Sequence, residues 1–110
     1  MTPLRYLALL AQHRHNFIRL WSRQVTWYHD YGQGELHASP LAWARTGSRT
    51  ALDGQPQFGL SQFNQAYFDR LRTRVMAARD RGIYVGIMLF GGHYECHGGW
   101  RGNPSTLAIT

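Results

Sequence analysis

The chain has 110 residues, of which 44% are hydrophobic and 14% are aromatic. This length fits one small domain, and the apolar content excludes a disordered polypeptide. Cys96 is the only cysteine, which excludes an intrachain disulfide framework and a thiolate metal cluster. No apolar run approaches the roughly 20 residues of a membrane-spanning helix. The apolar start, residues 1–10, is too short for a convincing signal peptide.

The formal net charge is +6, and all twelve basic residues are arginine. Five of them lie on one predicted helix and alternate with Asp69 and Asp80, as on a solvated face: Arg70, Arg72, Arg74, Arg79 and Arg81. The other arginines are scattered along the chain. Basic charge of this kind mostly reports non-specific attraction. We therefore expect no nucleic-acid partner, and arginine-driven nucleic-acid binding is the weaker alternative.

The first half of the chain predicts a helix, a strand and a long loop. Thr2 and Pro3 are typical of a helix start, and the apolar spacing that follows predicts a helix over about residues 3–13. The aromatic and β-branched run at 17–21 predicts a buried strand. Residues 22–60 contain many glycines and prolines and no clean periodicity, so they predict a loop. A loop of this length in a compact domain is usually functional.

The second half repeats this order. Ser61 is a candidate N-cap, and an apolar stripe predicts a helix over 61–81, made of Leu60, Phe63, Tyr67, Leu71, Val75 and Ala78. Gly82 is typical of a left-handed residue that ends a helix. Residues 83–90 form the strongest strand, apolar on both faces as in a covered parallel sheet. A glycine-rich tail follows at 91–110.

Alternation of helix and strand predicts an α/β fold, in a single domain over residues 1–110. Two strands joined through a helix are expected to be parallel, with a right-handed crossover. Both would then end at the same edge, so the loop 22–60 and the tail would leave the sheet side by side. Active sites of (β/α)8 barrels and open α/β sheets lie at that edge.

Candidate site residues fall on these segments. Arg19 stands inside an apolar strand, where its charge must be paired or reach a polar cavity. It could support a catalytic carboxylate or form a structural ion pair. The aromatic side chains suit a half-wet surface that stacks on sugar rings, or the interior of the loop itself: Trp21, Trp27, Tyr28, Trp43 and Trp100. His93 and Glu95 belong to the densest polar cluster of the tail, at the mouth of the same site.

No pattern in the chain provides a complete catalytic or metal site. The histidines around Cys96 match no ligand spacing, so we expect no metal and no cofactor. Glycosidases normally need two carboxylates. The loop carboxylates are Asp30, Glu35, Asp53 and Glu95, and none follows a strand in a way that marks an acid/base group.

Several segments, read together, resemble one enzyme family. Residues 15–21, His-Asn-Phe-Ile-Arg-Leu-Trp, look like the second-strand segment of cellulase-like (β/α)8 glycoside hydrolases related to family 5. Residues 43–47 and 53–58 resemble the loop that follows, and 67–72 and 81–90 resemble the next helix and third strand. The sequence departs from the pattern at Arg14, where a glycine is usual, and at Gly59, where an aspartate is expected. It departs again at residues 91–93.

The resemblance implies a partial TIM barrel that acts on O-glycosidic bonds of poly- or oligosaccharides. In this family the acid/base glutamate follows the fourth strand and the nucleophile follows the seventh. Both would lie outside this chain, which would be inactive alone, since such a barrel takes about 250 residues. Arg19 would then support the active site. The expected substrate-binding residues are Trp21, Trp27, Trp43, His93, Glu95 and Trp100.

Two hypotheses therefore remain for the function. The first is the N-terminal portion of a glycoside hydrolase, with carbohydrate as partner and no membrane. The second is a non-catalytic α/β module that binds carbohydrate. A partial barrel leaves open sheet edges and predicts self-association, whereas a binding module should be a monomer with a cooperative melt.

Overall fold

The computed structural model describes residues 2–22, 25–30, 32–51, 53–89 and 103–104. Its elements follow in this order along the chain: α1 (Pro3–Gln12), β1 (Phe17–Trp21), β2 (Trp27–Asp30), β3 (Gly34–His37), β4 (Trp43–Ala44), β5 (Gly59–Phe63), α2 (Gln65–Arg79) and β6 (Tyr84–Met88). The predicted helix at 3–13 and the predicted strand at 17–21 are confirmed. The strand predicted at 83–90 is confirmed over Tyr84–Met88. The tail at 91–110 lies outside the described residues, apart from 103–104.

Helix α1 begins at the expected cap. The Thr2 hydroxyl accepts a hydrogen bond from the Arg5 backbone N–H at 3.3 Å, and Pro3 occupies the first helical position. The hydroxyl satisfies one of the backbone donors that a helix start leaves without an intrahelical partner. Proline costs little there, because its missing N–H would have had no partner.

The helix ends in a Schellman motif centred on Arg14. The Arg14 N–H donates to the Ala11 carbonyl at 3.0 Å, and the His15 N–H donates to the Leu10 carbonyl at 2.9 Å. This pair of bonds needs a left-handed residue, and Arg14 has a φ of 60°. Arg14 therefore occupies a position that suits glycine, and an arginine there costs backbone energy.

Helix α2 ends with the same motif and with the residue that suits it. Gly82 has a φ of 70°, and its N–H donates to the Arg79 carbonyl at 2.9 Å. The Ile83 N–H donates to the Ala78 carbonyl at 3.0 Å, and both side chains are buried together. The predicted left-handed Gly82 is confirmed.

The start of α2 differs from the sequence-based expectation. The helix begins at Gln65, and its N-cap is Asn64, whose side chain accepts from the Ala66 N–H at 3.1 Å. Ser61 is therefore not the cap. Residues 59–63 form β5 instead, because they pair with β4 in an antiparallel ladder. The predicted helix over 61–81 was wrong at this end, since Leu60 and Phe63 continue the helical spacing but lie on a strand.

The two long apolar strands are parallel neighbours, as predicted. β1 pairs with β6 in a register that runs from Phe17 opposite Tyr84 to Trp21 opposite Met88. Backbone bonds extend the pairing at both ends, from Tyr84 N–H to the Asn16 carbonyl at 2.7 Å and from Ser22 N–H to the Met88 carbonyl at 2.9 Å. The carboxyl ends of both strands therefore lie at one edge of the sheet.

Only one face of this sheet is covered by described residues. Ile18 and Leu20 face the helices and pack in a cluster with Leu7, Ala78 and Ile83. The residues that alternate with them point the other way, and Phe17, Trp21 and Tyr84 are 56%, 52% and 75% exposed. The expectation of a strand covered on both faces is therefore not met within the described residues.

The segment predicted as a loop at 22–60 contains regular structure, so that expectation was wrong. β2 and β3 form an antiparallel hairpin, and β4 pairs with β5. A second apolar cluster lies beside them, built from Leu41, Ala51 and Phe58. The strands were missed because they are short and two-residue alternation has too few positions to be recognised. The molecule thus has mixed helix and strand content with a parallel two-stranded sheet, in a small partial α/β arrangement.

The two Schellman residues predict opposite effects of substitution on stability. Arg14→Gly should raise the free energy of unfolding by about 0.5–1 kcal/mol, because the left-handed strain it removes exceeds the entropy that glycine adds to the unfolded chain. Gly82→Ala should lower it by about 1 kcal/mol through backbone strain alone, since a Cβ there meets no atom within 4 Å. Urea denaturation followed by circular dichroism measures both changes.

Arg14→Ala is the matched control for the first variant. It removes the same charge but keeps the Cβ, so it should give little or none of the gain. Equal stabilisation by alanine and glycine would show that charge, and not backbone geometry, is responsible.

Candidate functional site

Two clefts share residues 37–40 in their lining, and the first of them lies at the carboxyl edge of the parallel sheet. The sheet cleft has a volume of about 350 Å³ and lies between the ends of β1 and β6, one side of α2 and residues 37–40. The loop cleft has a volume of about 710 Å³ and lies between residues 37–41, Trp43, Arg45 and the start of α2. Sites for small molecules typically measure about 300–1,000 Å³, so both have the size of a ligand site.

Hydroxyl groups and arginines line the polar side of the sheet cleft. The Ser22 and Tyr67 hydroxyls are 2.6 Å apart and hydrogen-bonded. Arg70 donates from Nη1 to the Ser39 carbonyl at 3.3 Å, and Arg74 follows one helical turn later. No aspartate or glutamate is among the residues that line this cleft in the described part of the chain.

Trp43 is the aromatic residue of the loop cleft. Its ring stacks on Phe63 with a centroid distance of 5.0 Å and an interplanar angle of 19°. Phe63 in turn meets the edge of Phe68 at 5.4 Å. This stack fixes the plane of the indole, which is half-buried and borders the cleft.

Arg45 is held rigidly at the same cleft by three contacts. Its guanidinium lies over the Phe58 ring at 4.1 Å from the centroid, donates to the Pro56 carbonyl at 2.7 Å and pairs with both oxygens of Asp53. Burial by itself would raise the pKa of the Asp53 carboxyl. The hydrogen bonds from Arg45 and the Gln55 N–H, together with the arginine charge, outweigh it and hold the pKa below 3.8.

Gly59, where the sequence analysis expected an aspartate, lies close to the Thr46 side chain. A Cβ at Gly59 would collide with the Thr46 hydroxyl, and the next nearest atom is the Thr46 Cβ at 3.5 Å. A side chain at position 59 would therefore require the Thr46 hydroxyl to move.

The Thr26 hydroxyl is buried at the loop cleft and has no hydrogen-bond partner among the described residues. Buried polar atoms in folded proteins nearly always have a partner. A bound polar ligand or a water molecule in the cleft would provide one. Thr26, Gln55 and Asn64, together with Ser39, provide neutral polar side chains in the described lining.

The predicted site residues separate into three groups. Trp21 borders the sheet cleft and Trp43 borders the loop cleft. Trp27 is half-buried in the hairpin opposite His37, and it lines neither cleft. The remaining three substrate-binding predictions, His93, Glu95 and Trp100, lie outside the described residues.

Arg19 lies on the open face of the parallel sheet, beside Phe17 and Trp21. It is exposed and forms no ion pair within the described part of the chain. From the sequence we expected Arg19 to be buried, and a buried charge needs a partner. Because the Arg19 side chain is exposed, it needs none. Asp53 is the one of the four loop carboxylates whose side chain the structure describes. It forms an ion pair with Arg45.

Sequence reasoning missed Arg70 and Arg74, which were assigned to a solvated face. The helix sequence shows that these arginines flank the apolar stripe, but not what lies opposite them. Tyr67, Arg70, Leu71 and Arg74 have the spacing i, i+3, i+4, i+7 of a single helix face, and Tyr67 and Leu71 were already predicted to face inward. Arginines that flank an apolar stripe lie at the edge of the surface against which the stripe packs.

Comparisons with known proteins leave the family open. The chain matches no protein-family model, and no match was found among curated proteins or among solved structures. In the described residues, no helix is long and apolar enough to cross a membrane. The same residues contain no group of three metal-binding side chains.

The Arg45–Asp53 pair predicts a pH-dependent contribution to stability. Because folding lowers the pKa of Asp53, the pair stabilises the fold fully above pH 3.8, and the stabilisation is lost as the pH falls through the lower folded-state value. Asp53→Asn should lower the free energy of unfolding at pH 7 by up to about 1 kcal/mol. Denaturation at a series of pH values measures this difference.

The difference between wild type and variant should shrink toward zero at pH values below the folded-state pKa. Asp80→Asn is the control, since Asp80 pairs with Arg79 at an exposed position. A loss that stays constant down to acidic pH would contradict an electrostatic origin and would indicate a packing effect of the substitution.

Proposed function

We propose that this chain binds carbohydrate in the two adjoining clefts, as the N-terminal portion of a (β/α)8 glycoside hydrolase. One observation carries the proposal: aromatic and polar side chains converge on two adjoining clefts of ligand size, one of which lies at the carboxyl edge of the parallel strands. That edge is where α/β folds bind their ligands. The resemblance of residues 15–21 and 81–90 to glycoside hydrolases supports the same conclusion.

The loop cleft has the chemistry that a sugar ring needs. Pyranose rings present apolar C–H faces beside hydroxyl groups, so they bind where an aromatic plane adjoins neutral hydrogen-bonding groups. Trp43 provides the plane, while Thr26, Gln55 and Asn64 provide hydroxyl and amide groups. Arg45 is occupied by Asp53 and Phe58, and so borders the cleft without an excess charge.

The open sheet face supports the barrel part of the proposal. In a complete barrel, one face of each strand packs on helices and the other fills the interior. Ile18 and Leu20 face α1 and α2, whereas Phe17, Arg19 and Trp21 would face the interior. The proposal leaves both catalytic glutamates to later strands, so this chain binds saccharide and does not hydrolyse it.

A stand-alone carbohydrate-binding module is the second candidate. It is favoured by the local origin of the loop cleft, since the described residues that line it all fall within 26–64. Sedimentation velocity over a range of concentrations separates the two candidates. A partial barrel exposes strand edges and aromatic rings, so it should self-associate as concentration rises. A module should remain a monomer.

The proposal predicts that Trp43 contributes to saccharide binding. Trp43→Phe should weaken binding of the preferred hexasaccharide about threefold to tenfold, which corresponds to roughly 0.7–1.4 kcal/mol, because the smaller ring keeps the stack on Phe63 but covers less of the sugar. Titration calorimetry with cello-, xylo- and manno-hexaose measures the affinities.

Trp27→Phe is the matched control, since Trp27 lies outside both clefts and should leave affinity unchanged. If no oligosaccharide bound to the wild-type chain, the proposed function would be wrong. If both variants weakened binding equally, the effect would be one of stability, and the loop cleft would lose its assigned role.

A further inference from the structure

The sheet cleft differs from the loop cleft in its charge. Arg70 and Arg74 border it from successive turns of α2, and its described lining contains no carboxylate. In the loop cleft the corresponding arginine, Arg45, is neutralised by Asp53. The two clefts therefore adjoin but select for different chemical groups.

Two arginines four residues apart on a helix repel each other. Arg70 uses one donor on the Ser39 carbonyl, which holds the guanidinium against residues 37–40 and leaves its other N–H groups available. Arg74 makes no hydrogen bond or ion pair within the described residues. An anionic group between the two side chains would relieve the repulsion and accept charge-assisted hydrogen bonds.

The remainder of the lining is suited to an organic ligand and not to a bare ion. Leu20, Leu71 and Ile87 contribute apolar surface, while the Ser22 and Tyr67 hydroxyls form a neutral hydrogen-bonding pair in the same lining. A volume of about 350 Å³ far exceeds that of one small anion. The ligand therefore combines an anionic group with a ring that has both apolar and hydroxylated surfaces.

We propose that the sheet cleft binds a hexuronic acid unit, with its carboxylate on Arg70 and Arg74, so that the saccharide recognised by this chain is acidic. This inference rests on the proposed function and gives it a substrate class. The planar guanidinium groups match a carboxylate with paired N–H donors. The loop cleft then takes a neutral neighbouring unit of the same saccharide.

The test compares acidic saccharides with their uncharged counterparts on the full chain. The ligands are tri-galacturonate and a glucuronate-containing trisaccharide, each with its methyl ester, which keeps the shape and removes the charge. We expect each acid to bind at least tenfold more tightly than its ester at low salt. This ratio should fall as salt is added, because exposed charges are screened.

Substitutions test whether Arg70 and Arg74 cause the preference for the acid over its ester. Arg70→Gln with Arg74→Gln should bring the ratio of acid to ester affinity close to one, because the affinity for the acid falls more than the affinity for the ester. Arg72→Gln is the control for Arg74→Gln alone, since each removes one positive charge from an exposed position of α2 and Arg72 does not line the cleft. Circular dichroism verifies that each variant folds.

The outcomes separate this inference from the proposed function. If acids and esters bind equally, the uronate site is overturned and carbohydrate binding stands. If Arg72→Gln lowers the ratio of acid to ester affinity as much as Arg74→Gln does, net charge alone is responsible. That result would also overturn the uronate site. If neither acids, esters nor neutral hexasaccharides bind, both fail, and binding of inorganic phosphate lost in the double variant would identify a simple anion site.

Discussion

The parallel pairing of β1 with β6 is the constraint from which the rest of the arrangement follows. A parallel pair needs a crossover, and here the crossover includes α2, which runs back along the sheet and packs on one face of it. The segment leaving β1 must therefore begin at the carboxyl edge, beside the start of α2. Two hydrogen bonds, Ser22–Tyr67 and Arg70–Ser39, join the segment after β1 to α2. The sheet cleft between them is therefore a consequence of the parallel pairing.

Packing is divided between two small clusters. One contains Leu7 and Ile18 between the helices and the sheet, and the other contains Leu41 and Phe58 beside β4 and β5. The start of α2 connects them, through the Asn64 N–H bond to the Ala42 carbonyl at 2.8 Å and through the stack of Trp43 on Phe63. The loop cleft borders this connection, and the sheet cleft adjoins the loop cleft at residues 37–40. A ligand that spans them would contact both clusters, so binding would stabilise their relative position.

The accuracy of sequence reasoning depended on whether the pattern was local. The ends of both helices were recognisable because caps and left-handed residues act within a few positions, as Thr2 and Gly82 do. The start of α2 was not, because Phe63 continues the helical spacing while pairing with Trp43, which is twenty residues away. Arg14 occupies a left-handed position that glycine usually fills. The sequence showed an unusual residue there but did not show its cost in backbone energy.

For the site, the sequence by itself determined that polar and aromatic residues follow the two apolar strands. Only the tertiary structure decided which of these residues share a cleft. Trp21 and Trp43 border clefts and Trp27 does not, although the sequence predicted all three to bind substrate. Arg70 and Arg74 were read as solvated because helical spacing defines a face but not what lies opposite it. The cleft opposite them is formed by residues 37–40, and their position depends on long-range pairing that no local pattern encodes.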